Sequence, residues 1–428
     1  MSNNLSRRDF LKLAGATSAG LALSACGLTP TAIPTLTNTP VPTRTLRPSS
    51  TPTITETLTV TATSGPPTLR ELADLVGIKL GSAVNGAVFD ENNPRYDKRY
   101  MEIFQRDFNL AVIKDAAGWI GYEPSLGKED EGSIWFIGSQ IKALRRARIY
   151  DIRWHPLIYP RYSPDWLRTG VWKGEIGKDQ LIEYMQMHIT SVVDRFKYGI
   201  SEWVVVNEPY RHWGNRLDPS KGDHDYFQNV IGDEYVDIAF QITRELVPTG
   251  LLIFNDVLNS ASRGYHSVYG VSQAFNTNQT RKIVDRLKEK GLIDALGVQM
   301  HLDGANPPDK HDVIETIQSY GIPVYVTEFD VDMRNVRGTQ EERFIKQAQV
   351  YADSLEACLQ SGVCNNFAVW EWSDKQSSAE NPQFGGAPSA DASLYDDDLQ
   401  PKPAWYALYD VLSQFTQKSN GITATSTP

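Results

Sequence analysis

Two glutamates each close a short apolar run. Glu208 ends Trp203-Val204-Val205-Val206-Asn207-Glu208, and Glu328 ends Ile322-Pro323-Val324-Tyr325-Val326-Thr327-Glu328. A β-branched run that finishes in a carboxylate reads as a buried strand delivering one ionisable group to the edge of a sheet. Two such strands can bring a pair of carboxylates into one cleft, which is the minimum equipment for breaking a glycosidic bond. The chain has 52 Asp and Glu residues, most of which must be solvated surface charges, so residue type alone decides nothing. Strand-end position is more telling, because in an α/β barrel the side chains at the C-terminal ends of the strands face the reaction site.

The elements that would hold these groups alternate in the rhythm of βα units. Strands are expected over 79–84, 110–114, 150–155, 202–208, 251–256, 295–301, 323–330 and 367–372. Helices are expected over 137–148, 178–197, 233–246, 278–290, 311–319 and 341–359. Eight strands with crossovers of this length predict a (β/α)8 TIM barrel rather than an open sheet, spanning residues 67–418. No Gly-rich phosphate fingerprint follows any strand, so no dinucleotide cofactor is expected.

The flanks have a different composition. Ser6-Arg7-Arg8-Asp9-Phe10-Leu11-Lys12 is a twin-arginine export motif, followed by a small-residue apolar stretch too short for a stable membrane span. Residues 1–25 therefore read as a signal peptide. Leu23-Ser24-Ala25-Cys26-Gly27 resembles a bacterial lipobox, which would make Cys26 a lipidated residue; a plain signal peptide with a coincidental cysteine is the alternative. Of the 39 residues from Leu28 to Pro66, 14 are Thr and 7 are Pro, with no aromatic residue. Such a stretch cannot bury a core, so residues 26–66 are expected to be a disordered stalk. Residues 419–428 repeat the flavour and read as an unstructured tail. The protein is thus expected at the cell surface or outside it, touching a membrane only through its lipid.

Beyond Cys26, Cys358 and Cys364 remain, and in an exported protein they point to a short-loop disulfide. A zinc site would need more Cys or His nearby. A net charge of −10 disfavours nucleic acid as a partner. Ten Trp and 19 Tyr supply either core packing or flat faces for sugar rings. A monomer is expected.

Five motifs then occur in order: Trp203 to Glu208; Phe254-Asn255-Asp256; Gly297-Val298-Gln299-Met300-His301-Leu302; Val326-Thr327-Glu328-Phe329-Asp330; and Val369-Trp370-Glu371-Trp372-Ser373-Asp374-Lys375. Together they resemble glycoside hydrolase family 10, the barrel xylanases, and the cysteine pair matches a disulfide position found in some members. The resemblance implies retaining hydrolysis of internal β-1,4-xylosidic bonds with two carboxylates about 5 Å apart. Glu208 would be the general acid/base and Glu328 the nucleophile. His301 would contact Glu328 and be oriented by Asp330, and Asn207 would bind the sugar 2-hydroxyl. Gln299, His155 and Trp370 would complete the subsite, Trp370 as its stacking floor. Each has a plainer reading: His155 as a satisfied core histidine, or His301 with Asp330 as metal ligands, although no second histidine stands four positions from His301. Trp370 and Trp372 alternate along a strand, so only one can face the barrel mouth.

The chain also departs from the pattern. Where relatives carry Glu-Asn-x-x-Lys-Trp after the second strand, it reads Lys114-Asp115-Ala116-Ala117-Gly118-Trp119, followed by Glu123-Pro124. Asp115 and Trp119 are the sugar-contacting candidates left there. A further family Trp falls near Ser378, and the Gly- and Ser-rich loop 379–392 reads as mobile. The sugar under attack should be held as in relatives and the next one should not. The same chemistry on another or decorated β-glycan, or as a transglycosylase, is an alternative. A non-catalytic glycan-binding barrel is the reading from a different class.

Overall fold

The computed structural model describes residues 65–84, 86, 96–209, 212–213, 223–257, 273–377 and 390–424. The twin-arginine segment, Cys26, the Thr/Pro-rich stretch as far as residue 64 and Ser378 lie outside them.

Eight parallel strands close into a barrel: β1 Lys79–Val84, β2 Leu110–Ile113, β3 Asp151–Trp154, β4 Glu202–Asn207, β5 Leu251–Asp256, β6 Ala295–Val298, β7 Val324–Asp332 and β8 Asn366–Val369. Neighbours pair in sequence order, and β8 pairs with both β7 and β1, which shuts the ring. A three-residue strand, His301–Asp303, extends alongside the far end of β7. Helices follow the strands on the outside, including Glu131–Arg146, Lys178–Phe196, Tyr235–Leu246, Gln273–Glu289, Lys310–Gln318 and Gln340–Ser361. Helix Leu69–Val76 opens the barrel with a Thr68/Glu71 capping box, and Thr339/Glu342 does the same for Gln340–Ser361.

The strand runs look uniformly apolar because both faces are buried. Trp203 and Val205 of β4 pack outward under the helices, while Val204 joins Ile253, Ala295 and Tyr325 inside the barrel. A second interior cluster, Ala83, Leu110, Val112 and Ala368, fills the opposite side. A polar plug completes the interior. Arg153 on β3 donates to Glu202 at 2.8 Å and to Asn366 on β8 at 2.8 Å, and Asn366 donates to Glu202 at 3.1 Å. These groups bind one another in the buried interior, leaving only the Arg153 Nη1 of the guanidinium without a hydrogen-bond partner.

Two backbone features shape the C-terminal end of the barrel. The register of β4 against β5 shifts between Val204 and Val206, and that of β7 against β8 shifts between Val326 and Phe329. Such irregularities re-aim the side chains that follow, and each lies at or just before one of the two glutamates. In addition, the first left-handed residue after β2, β4, β6 and β8 is non-glycine in every case: Asp115 (φ 60°), Glu208 (φ 49°), Met300 (φ 56°) and Glu371 (φ 68°). Left-handed backbone at such residues is costly and gathers at functional ends of folds.

Three expectations need correction. Strand β8 ends at Val369 rather than Trp372, because the chain turns through left-handed Glu371. The last helix, Pro403–Ala424, carries through positions 419–424, which had read as tail. The end of the 379–392 loop is also fixed: Ala390 and Ala392 are buried, and their carbonyls accept from Met333 N at 2.8 Å and Val331 N at 3.3 Å. The rest of that loop, 379–389, lies outside the described residues. The cysteines are bonded as expected, Cys358 to Cys364, tying the end of helix Gln340–Ser361 to the approach to β8.

Candidate active site

Strands β3, β4, β6 and β7, with the segments that follow them, bring together seven of the residues singled out from sequence: His155, Asn207, Glu208, Gln299, His301, Glu328 and Asp330. Glu328 is buried at 4% exposure, whereas Glu208 is half-buried at the rim. A chain of three carboxamides joins them. Asn255 Nδ2 donates to Glu328 Oε1 at 2.7 Å and to Asn207 Oδ1 at 2.8 Å. Gln299 Nε2 donates to the same Asn207 oxygen at 3.3 Å and to Glu208 Oε1 at 2.7 Å.

The polarity of this chain is set from one end. An ionised Glu328 can only accept, so Asn255 must turn its nitrogen toward it, and Thr327 Oγ1 holds the Asn255 oxygen at 2.6 Å. With both hydrogens of Asn255 committed, Asn207 must present oxygen to it. The Asn207 nitrogen is thereby directed away from the relay, where it can donate to a ligand. Gly297 makes room for this arrangement: a Cβ there would lie 2.3 Å from Asn255 Oδ1 and 2.9 Å from Thr327 Cγ2.

Glu328 is also flanked by two imidazoles. His301 Nε2 lies 3.2 Å from Oε2 and its Nδ1 lies 2.7 Å from Asp330 Oδ2. His155 Nε2 lies 3.5 Å from Oε1. Burial opposes ionisation of Glu328, but His155, His301 and the Asn255 amide together outweigh it and hold its carboxyl below the usual range. Burial alone would lower His301. The adjacent Asp330 and Glu328 carboxylates overcome that and push it up to about 10, so it is an imidazolium at neutral pH. For His155 burial is the larger effect: it outweighs the pull of Glu328 and holds the imidazole below its ordinary value. Glu328 is thus kept as a buried carboxylate, while Glu208 lies half-buried at the rim.

Trp370 is half-buried beside both imidazoles, with ring centroids 5.1 Å from His155 and 6.5 Å from His301. Trp372 points the other way, fully buried against Tyr100 and Tyr395. Trp119 needs correction as a sugar contact. It is 1% exposed, stacks on His188 at 4.3 Å, and donates to Glu123 at 3.1 Å, so it packs the core behind the cleft. Asp115 is exposed at the mouth and pairs with Lys114 at 3.0 Å.

Sequence reasoning missed four participants. Asn255 stood in a quoted motif, yet its double donation needs the fold to be seen. Tyr159 donates to Glu208 Oε2 at 2.7 Å. Lys114 and Glu371 form an ion pair at 3.0 Å, with the Lys114 nitrogen 5.6 Å from the centre of the Trp370 ring. The loss of the family lysine at Gly118 and the lysine at 114 in place of a carboxylate hinted that a cation had moved, without showing its partner. Among the described residues no group of His, Cys, Asp and Glu side chains is arranged to hold a metal ion.

Comparison with known proteins agrees with this geometry. The model of glycosyl hydrolase family 10 matches residues 68–411, which is most of the chain. The chain belongs to glycosyl hydrolase family 10. Its family 10 barrel is 26% identical over 354 residues to endo-1,4-beta-xylanase B of Thermotoga neapolitana, covering 81% of this chain and 92% of that one. It is 28% identical over 333 residues to endo-1,4-beta-xylanase A of Fusarium oxysporum, covering 75% and 93%. It also matches endo-1,4-beta-xylanase C of Paenibacillus barcinonensis at 26% over 378 residues, but spans only 33% of that longer relative. Among solved structures, xylanase 10B from Thermotoga petrophila RKU-1 in complex with xylobiose superposes with a TM-score of 0.68 at 25% identity, covering 83% of this chain and 100% of that one. Native xylanase 10B from Thermotoga maritima gives 0.68 and 25%, covering 82% and 99%. Residues 4–24 match the twin-arginine translocation signal, so this family 10 protein is directed to export by that route.

Proposed function

We propose that the protein is a retaining endo-β-1,4-xylanase in which Glu328 attacks the anomeric carbon and Glu208 serves as general acid and then general base. The observation that carries this reading is the three-amide chain joining the two carboxylates, because it fixes them relative to each other and keeps the buried one ionised. Glu328 displaces the leaving sugar as Glu208 protonates the glycosidic oxygen; water activated by Glu208 then releases the glycosyl group from Glu328. Asn207 is turned to donate to the sugar 2-hydroxyl, a contact that strengthens as positive charge develops on the ring. Trp370 supports the sugar under attack. No cofactor is needed for either step.

The test is reducing-sugar release from beechwood xylan, arabinoxylan, carboxymethyl-cellulose and β-glucan. The wild type should release sugar from the xylans, and Glu328→Ala should abolish release while leaving the fold intact by circular dichroism. Full turnover by Glu328→Ala would refute the nucleophile assignment. The Lys114–Glu371 pair favours a narrower version of the reading, in which decorated xylans are preferred to short unsubstituted oligomers.

Membrane attachment through Cys26, with residues 26–66 as a stalk, belongs to the same proposal. It rests on the lipobox-like Leu23-Ser24-Ala25-Cys26 that follows the twin-arginine motif. Fractionation of cells producing wild type or Cys26→Ala tests it, with the variant expected in the soluble exported fraction.

A further inference from the structure

Both oxygens of Glu208 are engaged, by partners of different chemistry. Oε1 accepts from the Gln299 amide nitrogen at 2.7 Å, and that nitrogen can only donate. The orientation of Gln299 is not free to reverse, because its nitrogen also donates to Asn207 Oδ1, whose own direction is imposed by Asn255 and the ionised Glu328. A proton on Glu208 is therefore confined to Oε2. That oxygen lies 2.7 Å from the Tyr159 hydroxyl, a group that can both donate and accept.

Tyr159 is held for this contact by its backbone. The segment after β3 continues as a parallel bridge to β4, with Ile158 N donating to Val205 O at 2.9 Å and Asn207 N donating to Ile158 O at 2.9 Å. Ser163 Oγ donates to the Tyr159 carbonyl at 3.0 Å, and the Tyr162 ring packs beside it at 5.1 Å. The hydroxyl is thus tied to the same strand that carries Glu208.

We propose that Tyr159 is a positioning residue for proton transfer, donating to Glu208 Oε2 as that oxygen gives its proton to the leaving group. The proton moves from Oε2 to the glycosidic oxygen while the C–O bond breaks, and the electron pair stays on Oε2. As charge builds there, the Tyr159 hydrogen bond becomes charge-assisted and shortens, so it is stronger in the transition state than in the ground state. The hydroxyl makes Glu208 a better acid in the first step and a weaker base in the second. This inference rests on Glu208 being the acid/base.

Aryl β-xylobiosides with graded leaving groups test it. In Tyr159→Phe, kcat/KM should fall about tenfold or more for phenyl and alkyl-like leaving groups, which need acid help, and stay within about twofold for dinitrophenyl, which does not. An equal loss for every leaving group, or no loss at all, would overturn the proposal. Glu208→Ala is measured in parallel with and without azide. A steep leaving-group dependence and azide acceleration in that variant keep the acid/base reading in place, whatever Tyr159→Phe shows. A flat Glu208→Ala profile would instead sink the reading beneath.

Discussion

Lys114 and Glu371 form a buried ion pair across the barrel mouth, Nζ to Oε1 3.0 Å, with side chains 9% and 2% exposed. Lys114 follows β2 and Glu371 follows β8, so the pair spans the end of β1 between them. Breaking a buried pair leaves an uncompensated charge, which costs about 3–5 kcal/mol where no other partner is at hand. Here Asp115 still faces Lys114, so Glu371→Gln should cost less, about 2 kcal/mol. Replacing both partners, Lys114→Met with Glu371→Gly, should recover stability, since glycine suits the φ of 68° at position 371. Thermal melts of the wild type and these two variants check this.

The same pair bears on substrate length. Lys114, Asp115 and Gly118 stand where the family pattern has a carboxylate, an amide and a lysine, and Lys114 is engaged by Glu371, so the sugar beyond the one under attack should be gripped weakly. kcat/KM on xylotriose and xylotetraose should be low relative to decorated xylan. Kinetics on these oligomers equal to those of an ordinary family xylanase would contradict it.

Stability should fall on the alkaline side through one imidazole. His301 titrates near 6.5 when unfolded and is pushed up to about 10 when folded, against burial, by Asp330 and Glu328. A raised value means that its contribution is complete below about 6.5 and is lost as pH rises from there through about 10. Melting temperature should therefore decline across that window. In Asp330→Asn the decline should end at lower pH and be smaller overall, because the group chiefly responsible for the raised value is gone. His155 acts in the opposite sense, since burial lowers it and protonating it below its ordinary value opposes the fold.

Gly297→Ala should damage activity without touching a ligand. The new methyl would meet Asn255 Oδ1 at 2.3 Å, so the amide must move and its bonds to Asn207 and Glu328 must lengthen. Overpacking of this kind costs about 1–3 kcal/mol in stability. Loss of one oriented donor beside a reacting group costs about a hundredfold in kcat. A variant that melts slightly early but keeps full kcat would show that Asn255 is not needed in place.

The disulfide Cys358–Cys364 closes a very short loop, so its removal should be modest in effect. The chain-entropy account gives about 2 kcal/mol for a loop of this size. Cys358→Ala with Cys364→Ala should melt lower while retaining activity on xylan, as measured by calorimetry and sugar release.

Much of the barrel was legible because apolar runs of β-branched residues alternate with amphipathic stretches. Lys79–Val84 and Leu251–Asp256 match the sequence reading residue for residue. The strand ends were harder to place, since β8 stops at a left-handed glutamate that no propensity would suggest. Glu208, His301 and Gln299 sit at one cleft because they stand at or next to strand ends, and Glu328 and Asp330 join them from within β7, which runs on to Asp332. Trp119 was misread because a motif position does not reveal which way a ring turns, and this one turns inward onto His188. Tyr159 and the Lys114–Glu371 pair were invisible for a related reason. Each depends on two segments distant in sequence meeting at hydrogen-bond distance, and neither segment signals the meeting alone.

Asn255 places one hydrogen on each side of the reaction centre, toward Glu328 directly and toward Glu208 through Asn207 and Gln299. The two glutamates consequently cannot be retuned one at a time. Substitutions that shift β4 or β7 by a fraction of an ångström will be felt by both, so double variants around the relay should depart strongly from additivity. For anyone reshaping this enzyme toward a new glycan, the freedom lies in the loops beyond the left-handed residues, and the five amide and carboxylate positions of the relay move as one part or not at all.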